Sequence, residues 1–229
     1  MSADRHIVIC GWNDNGRRLV ADLLLSDRIP TVRVVSPTAL PPSNTRIQRV
    51  EFVLADPSTA AGLRAVEVDK ADVVVILGDV RDGRSKQDAD ARTILTGLSI
   101  EQLRPQVHTI AELFSTDNIF HARNAGVNEV IISGTHTGAM LSQAVQSPGV
   151  LAVFGDLFLS GRGSRLREAP LPEDLDGASF QQAYSALLTE QQGVLVGLRR
   201  AGRIQAGLGP ETTMAAGDRV ILLQRLPAP

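Results

Sequence analysis

Short runs of β-branched and aliphatic residues alternate with helix-like stretches through the first part of the chain. Residues 6–10 (His-Ile-Val-Ile-Cys) read as a buried strand, because no polar position interrupts Ile7 to Cys10. Residues 15–26 follow with Leu19, Val20, Leu23 and Leu24 at helical spacing. Further strands are predicted at 31–35, 50–54 and 71–77. Residues 87–103 place Ala91, Ile94, Leu95 and Leu98 on one helical face, which is expected to be the buried one. A fifth strand is predicted at 107–111 and a sixth at 130–132. Between them Ser115 caps a short helix, and Gly126 ends it because glycine takes the left-handed stop conformation cheaply. Strands without period-2 alternation, separated by amphipathic helices, predict an α/β fold: a doubly wound parallel sheet covered on both faces.

After Ile132 the pattern changes. Residues 135–146 form an amphipathic helix with Met140, Leu141, Ala144 and Val145 on one side, and Ser147-Pro148-Gly149 breaks it. Residues 150–159 are apolar on most sides (Val150, Leu151, Val153, Phe154, Leu157, Phe158, Leu159), which predicts a buried or partnered helix. Gly161-Arg162-Gly163 reads as a linker. Strands at 165–169, 194–199, 203–206 and 219–224, with a helix at 179–188, predict a small α+β module. The expected organisation is an N-lobe over 1–133, a helix pair and linker over 134–162, and a C-terminal module over 163–229.

Composition removes several function classes. A net charge of −2 gives no electrostatic case for nucleic acid or an acidic membrane surface, and 3% aromatic residues provide no base-stacking platform. Cys10 is the single cysteine, so no intrachain disulfide exists; this fits a reducing cytoplasm. Residues 1–5 carry no apolar signal core, and no apolar run approaches the roughly 20 residues of a membrane helix. At a membrane, such a chain would act as a partner or as a piece of something larger.

The sharpest local signal is Gly11-Trp12-Asn13-Asp14-Asn15-Gly16, between the first strand and the first helix. There a dinucleotide fold places its phosphate loop: the first glycine permits the tight turn, the last lets the helix pack close to the sheet. Asn13 stands where the middle glycine would be and adds a side chain at the phosphate approach. The other reading is a plain strand-to-helix turn with no ligand. Three further positions lie at the carboxyl edge of the predicted sheet, where ligands bind. Ser36, ending strand two, offers a hydroxyl but no charge where the acid that holds an NAD ribose would stand. Asp56 reads as a ligand contact, as the N-cap of a short helix, or both. Glu112 reads as a contact for a ribose or a cation, or as a solvated strand end. The 79–90 stretch mixes Asp and Arg without EF-hand spacing and reads as a loop entering a helix. His6, His108, His121 and His136 are scattered, with no metal-ligand spacing, no nucleophile elbow appears, and Cys10 reads as core.

Several motifs together resemble one family. They are His6-Ile7-Val8-Ile9-Cys10-Gly11-Trp12, Asp88-Ala89-Asp90-Ala91-Arg92-Thr93-Ile94-Leu95-Thr96 and Ile110-Ala111-Glu112-Leu113. Ala125-Gly126-Val127-Asn128-Glu129-Val130-Ile131, the Ser147-Pro148-Gly149 break and the closing Ala216-Gly217-Asp218-Arg219-Val220-Ile221 complete the set. In this order the chain resembles the regulator-of-potassium-conductance (RCK) domains of prokaryotic ligand-gated potassium channels and their relatives in Trk/Ktr-type uptake systems. The resemblance implies a Rossmann-like N-lobe, a helical crossover that swaps onto a neighbour, and a small C-lobe. It implies a homodimer assembling into a ring beneath a potassium channel pore or a transporter membrane subunit, on the same or a separate chain. The expected place is the cytoplasm, at the inner face of the cell membrane. The implied ligands are a nucleotide (ADP, ATP or NAD) and/or Ca2+ or Mg2+. Carried over, the phosphate loop falls on Gly11, Asn13 and Gly16; Asn15, Ser36 and Asp56 are the further candidate nucleotide contacts. The strand-five glutamate of calcium-gated members falls on Glu112, but Phe114 replaces their second acid, and their strand-four acid lies near Gly78-Asp79.

Three functions are therefore weighed. A ligand-sensing gating domain, with no enzymatic activity, needs only a cleft and an assembly surface. An NAD-dependent oxidoreductase needs an acid or base over the nicotinamide and a substrate pocket, for which the chain offers no motif. An assembly-only subunit would leave the cleft empty.

Overall fold

The structure is a computed structural model that describes residues 5–24, 31–38, 50–81, 83–158, 164–190 and 193–225. Ser26, the Pro41-Pro42 segment, Leu159 and the Gly161-Arg162-Gly163 stretch lie outside the described residues. The chain divides into two compact units, Met1–Gln146 and Ser147–Pro229.

The first unit holds a six-stranded sheet in the order β3-β2-β1-β4-β5-β6. Its strands are β1 (His6–Cys10), β2 (Thr31–Ser36), β3 (Val50–Leu54), β4 (Val73–Ile76), β5 (His108–Leu113) and β6 (Glu129–Ile132), and every neighbouring pair is parallel. The helices are α1 (Asp14–Leu24), α2 (Ala60–Ala65), α3 (Lys86–Leu103), α4 (Ile119–Asn124) and α5 (Thr135–Gln146). β4 is shorter than the apolar run that predicts it. The uninterrupted apolar strands have a plain cause. Alternate side chains of β1 enter different cores: Val8 and Cys10 join Leu63, Ile100 and Ala122, whereas Ile7 and Ile9 join Val20, Val32 and Leu77. From Ile7 to Cys10 each position of β1 is buried on one face or the other, so each is apolar.

α3 corrects an expectation. Leu95 and Leu98, assigned to the buried face by their spacing, are 53% and 42% exposed. Ala91 is exposed, and only Ile94 of that set packs partly against the core. The buried face is instead Ala89, Asp90, Thr93, Thr96, Gly97 and Ile100. Small residues win there because the helix lies close: a Cβ at Gly97 would stand 3.1 Å from Val127 Cγ2 and 3.3 Å from the Ala125 carbonyl oxygen. Asp90 tolerates burial because Oδ1 accepts the Phe114 amide (2.8 Å) and Oδ2 accepts the Ser115 amide (3.0 Å) and Asn118 Nδ2 (2.7 Å). A capping box of Ser85 and Asp88 starts the helix.

The second unit begins with α6 (Val150–Phe158) and builds a sheet from β7 (Ser164–Pro170), β8 (Val194–Arg200), β9 (Arg203–Ala206) and β10 (Arg219–Arg225). The order is β7-β10-β8-β9, antiparallel throughout, with a bulge at Ile221/Leu222. α7 (Phe180–Thr189), started by a Ser179/Gln182 capping box, contributes Ala183 and Leu187 to a core with Leu195, Leu198, Met214, Val220 and Leu222. Asp218 is buried and takes Arg200 Nε at 2.8 Å and the Ala215 amide at 2.9 Å. Among the described residues, no helix is long and apolar enough to cross a membrane.

Candidate functional site

The strand order reverses at β1, so the turns leaving β1 and β4 part in opposite directions and leave a crevice at the carboxyl edge of the sheet. The β1 turn needs its glycines. Gly11 has φ +92°, and a Cβ there would lie 3.0 Å from the Leu77 carbonyl oxygen. Gly16 is buried in the first turn of α1, where a Cβ would approach Leu77 Cδ1 to 2.6 Å and Trp12 Cε3 to 3.3 Å. These contacts bring the start of α1 down onto the sheet. Trp12 completes the turn by meeting Phe52 of β3 edge-on, with ring centroids 5.1 Å apart.

Asn13 does what a middle glycine could not. Its Oδ1 accepts the Gly16 amide at 2.9 Å, capping α1, while its Nδ2 donates to the Gly78 carbonyl (2.8 Å) and to Glu112 Oε2 (3.1 Å). Asn15 Nδ2 donates to Glu112 Oε1 at 2.7 Å, and the Gly78 amide donates to Oε2 at 3.2 Å. Glu112 is 8% exposed, and both its oxygens are held by N–H donors from the β1 and β4 turns. The structure thus joins Asn13, Asn15 and Glu112 in one network, with Gly11 and Gly16 shaping its base. Beside it opens a cavity of about 510 Å³ bordered by Trp12, Asn13, Asn15, Arg81, Glu112 and Phe114, among others, within the usual size range of ligand sites.

Ser36 and Asp56 face their own turns. Ser36 is buried, and its hydroxyl donates to the Thr38 carbonyl at 3.1 Å. Asp56 Oδ1 accepts the Ser58 amide (2.9 Å) and hydroxyl (2.7 Å), and Oδ2 pairs with Arg92 Nη2 at 3.0 Å. Burial pushes the Asp56 pKa up, but the Ser58 bonds and the Arg92 guanidinium outweigh it and hold the carboxyl below its usual range. The N-cap of α2 is Thr59, whose side chain accepts the Gly62 amide, so Asp56 does not fill that role. The turns after Ser36 and Asp56 supply Pro37 and Pro57 to a second cavity of about 30 Å³, shared with Gly11, Arg84 and Arg92. Between the cavities Asp79 receives Arg81 Nε (2.8 Å) and Arg84 Nη1 (3.1 Å), and Arg81 Nη2 reaches Thr38 Oγ1 at 2.8 Å. Burial raises the Asp79 pKa; the Arg81 bonds and the Arg84 charge overcome it and set it below the ordinary value.

Gly78, Arg81 and Asp90 are the site-forming residues that pattern reading passes over. Only Asp90 leaves a trace in the sequence, as an acid on a face otherwise made of small residues. Cys10 is fully buried, which pushes its thiol pKa up to about 12; such a thiol is no nucleophile. Among the described residues no three His, Cys, Asp or Glu side chains group as a metal site.

A doubly wound parallel sheet with a glycine turn heading its first helix defines a Rossmann-like domain. The chain belongs to the TrkA-N domain family, which matches residues 7–133. Across 221 residues it is 24% identical to the calcium-gated potassium channel TvoK of Thermoplasma volcanium, covering 96% of this chain and 62% of that protein. The chain thus spans under two thirds of that relative's length. Among solved structures, the human SLO3 gating ring superposes with a TM-score of 0.72 at 15% identity, over 98% of this chain and 44% of that one. The GsuK channel bound to NAD gives a TM-score of 0.52 at 20% identity, over 97% and 37%. These two likenesses show the fold.

Proposed function

We propose that this chain is a regulatory domain that binds a nucleotide of the ADP, ATP or NAD type in the cleft at Gly11, Asn13, Asn15 and Gly16. We propose further that it passes the binding event to a potassium channel pore or transporter subunit at the inner face of the membrane. One observation carries the reading: the close-packed glycine turn at the head of α1 opens directly onto a cavity of about 510 Å³. The first-turn amides of Asp14 and Asn15 have no acceptor among the described residues, and the positive end of α1 favours an anion there. The NAD in GsuK and the channel function named for TvoK support the same reading. Ser36 and Asp56 serve it by fixing the adjoining turns. The exposed Leu95 and Leu98, with Leu141 and Val145 on α5, favour self-association into the homodimer and ring of this proposal.

Calorimetry with ADP, ATP, NAD and NADH tests the proposal. At least one is expected to bind, and Gly16→Asp, checked for folding by circular dichroism, is expected to lose it. Absence of binding at millimolar ligand overturns the nucleotide reading and leaves an assembly subunit. Turnover of NADH would instead favour an oxidoreductase. A Ca2+ or Mg2+ site at Glu112 is the competing ligand reading. It requires the three N–H donors on that carboxylate to turn away first, so calcium binding lost in Glu112→Gln would favour it.

A further inference from the structure

The mouth of the β1 turn already holds an anion, and that anion belongs to the protein. Glu112 reaches from the end of β5 and accepts three N–H bonds, from Asn13 Nδ2, Asn15 Nδ2 and the Gly78 amide. Two of these donors sit on the turn itself, on either side of the α1 start. Asn13 completes the closure, because its Oδ1 takes the Gly16 amide, one of the first-turn amides that a phosphate oxygen would accept from. The carboxylate is buried rather than solvated, so little water stands between it and an incoming group. A phosphate approaching α1 meets a like charge beside it, and of the first-turn amides that of Gly16 is engaged while those of Asp14 and Asn15 stay open to it.

We infer that Glu112 is an internal latch: it fills the phosphate loop in the ligand-free state, and the phosphate of a nucleotide must displace it. This rests on the nucleotide reading above and adds its regulation. Displacement frees the Glu112 side chain, while the end of β5 stays paired with β6. Just beyond it, the Phe114 and Ser115 amides are gripped by Asp90 of α3, so a shift at Glu112 is passed directly to that helix. Ligand occupancy then has a physical route into α3 through a group with two discrete partners, the loop or solvent. A ligand portion lying beside Glu112 without displacing it must bring hydrogen-bond donors, not phosphate oxygens.

The latch reverses the usual sign of a binding-site mutation. In the full 229-residue chain, Glu112→Gln and Glu112→Ala are expected to bind ADP about tenfold or more tighter than wild type, with adenosine unaffected. ADP that binds the folded variants equally or more weakly overturns the latch and leaves the nucleotide reading standing. Failure of ADP, ATP, NAD and NADH alike to bind any of the three proteins overturns both. A second measurement uses wild type alone and so does not depend on variant folding. In 15N-labelled protein, ADP is expected to shift the side-chain amide signals of Asn13 and Asn15, whereas adenosine leaves them in place. If bound ADP moves neither signal, Glu112 has not been displaced and the inference fails.

Discussion

Asn15 donates its side-chain amide to Glu112 Oε1 across 2.7 Å, joining positions 97 residues apart in the chain. The bond ties the first turn of α1 to the end of β5 across β4. Asn15→Asp would set two carboxylates against each other in a place with little water. A loss of about 1.5–3 kcal/mol is expected, the scale of a hydrogen bond to a charged group. Glu112→Gln in the same chain should restore most of it. Urea unfolding of the two single variants and the double variant checks this; independent, additive losses would show that the pair is not coupled.

Asp90 supports the same region from the other side. Asp90→Ala would strand the amides of Phe114 and Ser115 and the Asn118 side chain. An unsatisfied buried donor costs about 1–3 kcal/mol, and several at once should make this among the most damaging single changes in the first unit. Hydrogen exchange at Phe114 and Ser115 is expected to accelerate well beyond that of the β1 amides. Uniform acceleration across the unit would show instead that Asp90 acts on global stability alone.

In the second unit, Arg200 hydrogen-bonds the Asp218 carboxylate; this outweighs burial and, with the Ala215 amide, holds the Asp218 pKa below the usual aspartate range. A carboxyl lowered on folding stabilises the native state above its unfolded pKa of about 4, and the gain disappears as pH falls through the lower folded value. The second unit is therefore expected to lose melting temperature on acidification below about pH 4. Asp218→Asn should be less stable at neutral pH and should flatten that acid slope. An unchanged slope would assign it to other carboxylates.

The outward face of α3 is expected to mediate self-association. Leu95→Asp with Leu98→Asp changes side chains that are already exposed, so monomer stability should stay within about 0.5 kcal/mol of wild type. Light scattering should show an assembly for wild type at micromolar concentration and a smaller species for the variant. Equal masses would place the interface elsewhere.

The central strands of the first unit were legible because both sheet faces are covered, which forces apolar runs such as Ile7 to Cys10 in β1 and Val73 to Ile76 in β4. The turn at Gly11 and Gly16 was legible for a similar reason: Gly11 takes a positive φ against the Leu77 carbonyl, and Gly16 packs close to the Leu77 side chain. The buried face of α3 was not. Leu95 and Leu98 advertise a core-facing stripe, whereas the approach to Val127 and Ala125 admits only small residues, and Asp90 is acceptable there only through donors more than twenty positions away. The Asn13–Asn15–Glu112 network was invisible for the same reason of distance. The motif named each residue as a ligand contact, but only the sheet topology brings β5 to the head of α1 and lets them contact one another. Asp56 was open to two readings, ligand contact and cap, and Thr59 three residues on takes the cap.

Cys10 ends β1 one residue before the turn, wholly buried and with its thiol pushed up to about 12. The cavity of about 30 Å³ that it borders is too small for a thiol reagent, which reaches the sulfur only after β1 has parted from the core packed on that face. The chain therefore carries its own clock: the rate at which this one sulfur is trapped measures how often the sheet opens. A ligand seated beyond Gly11 would register as a slower tick without touching the sulfur at all.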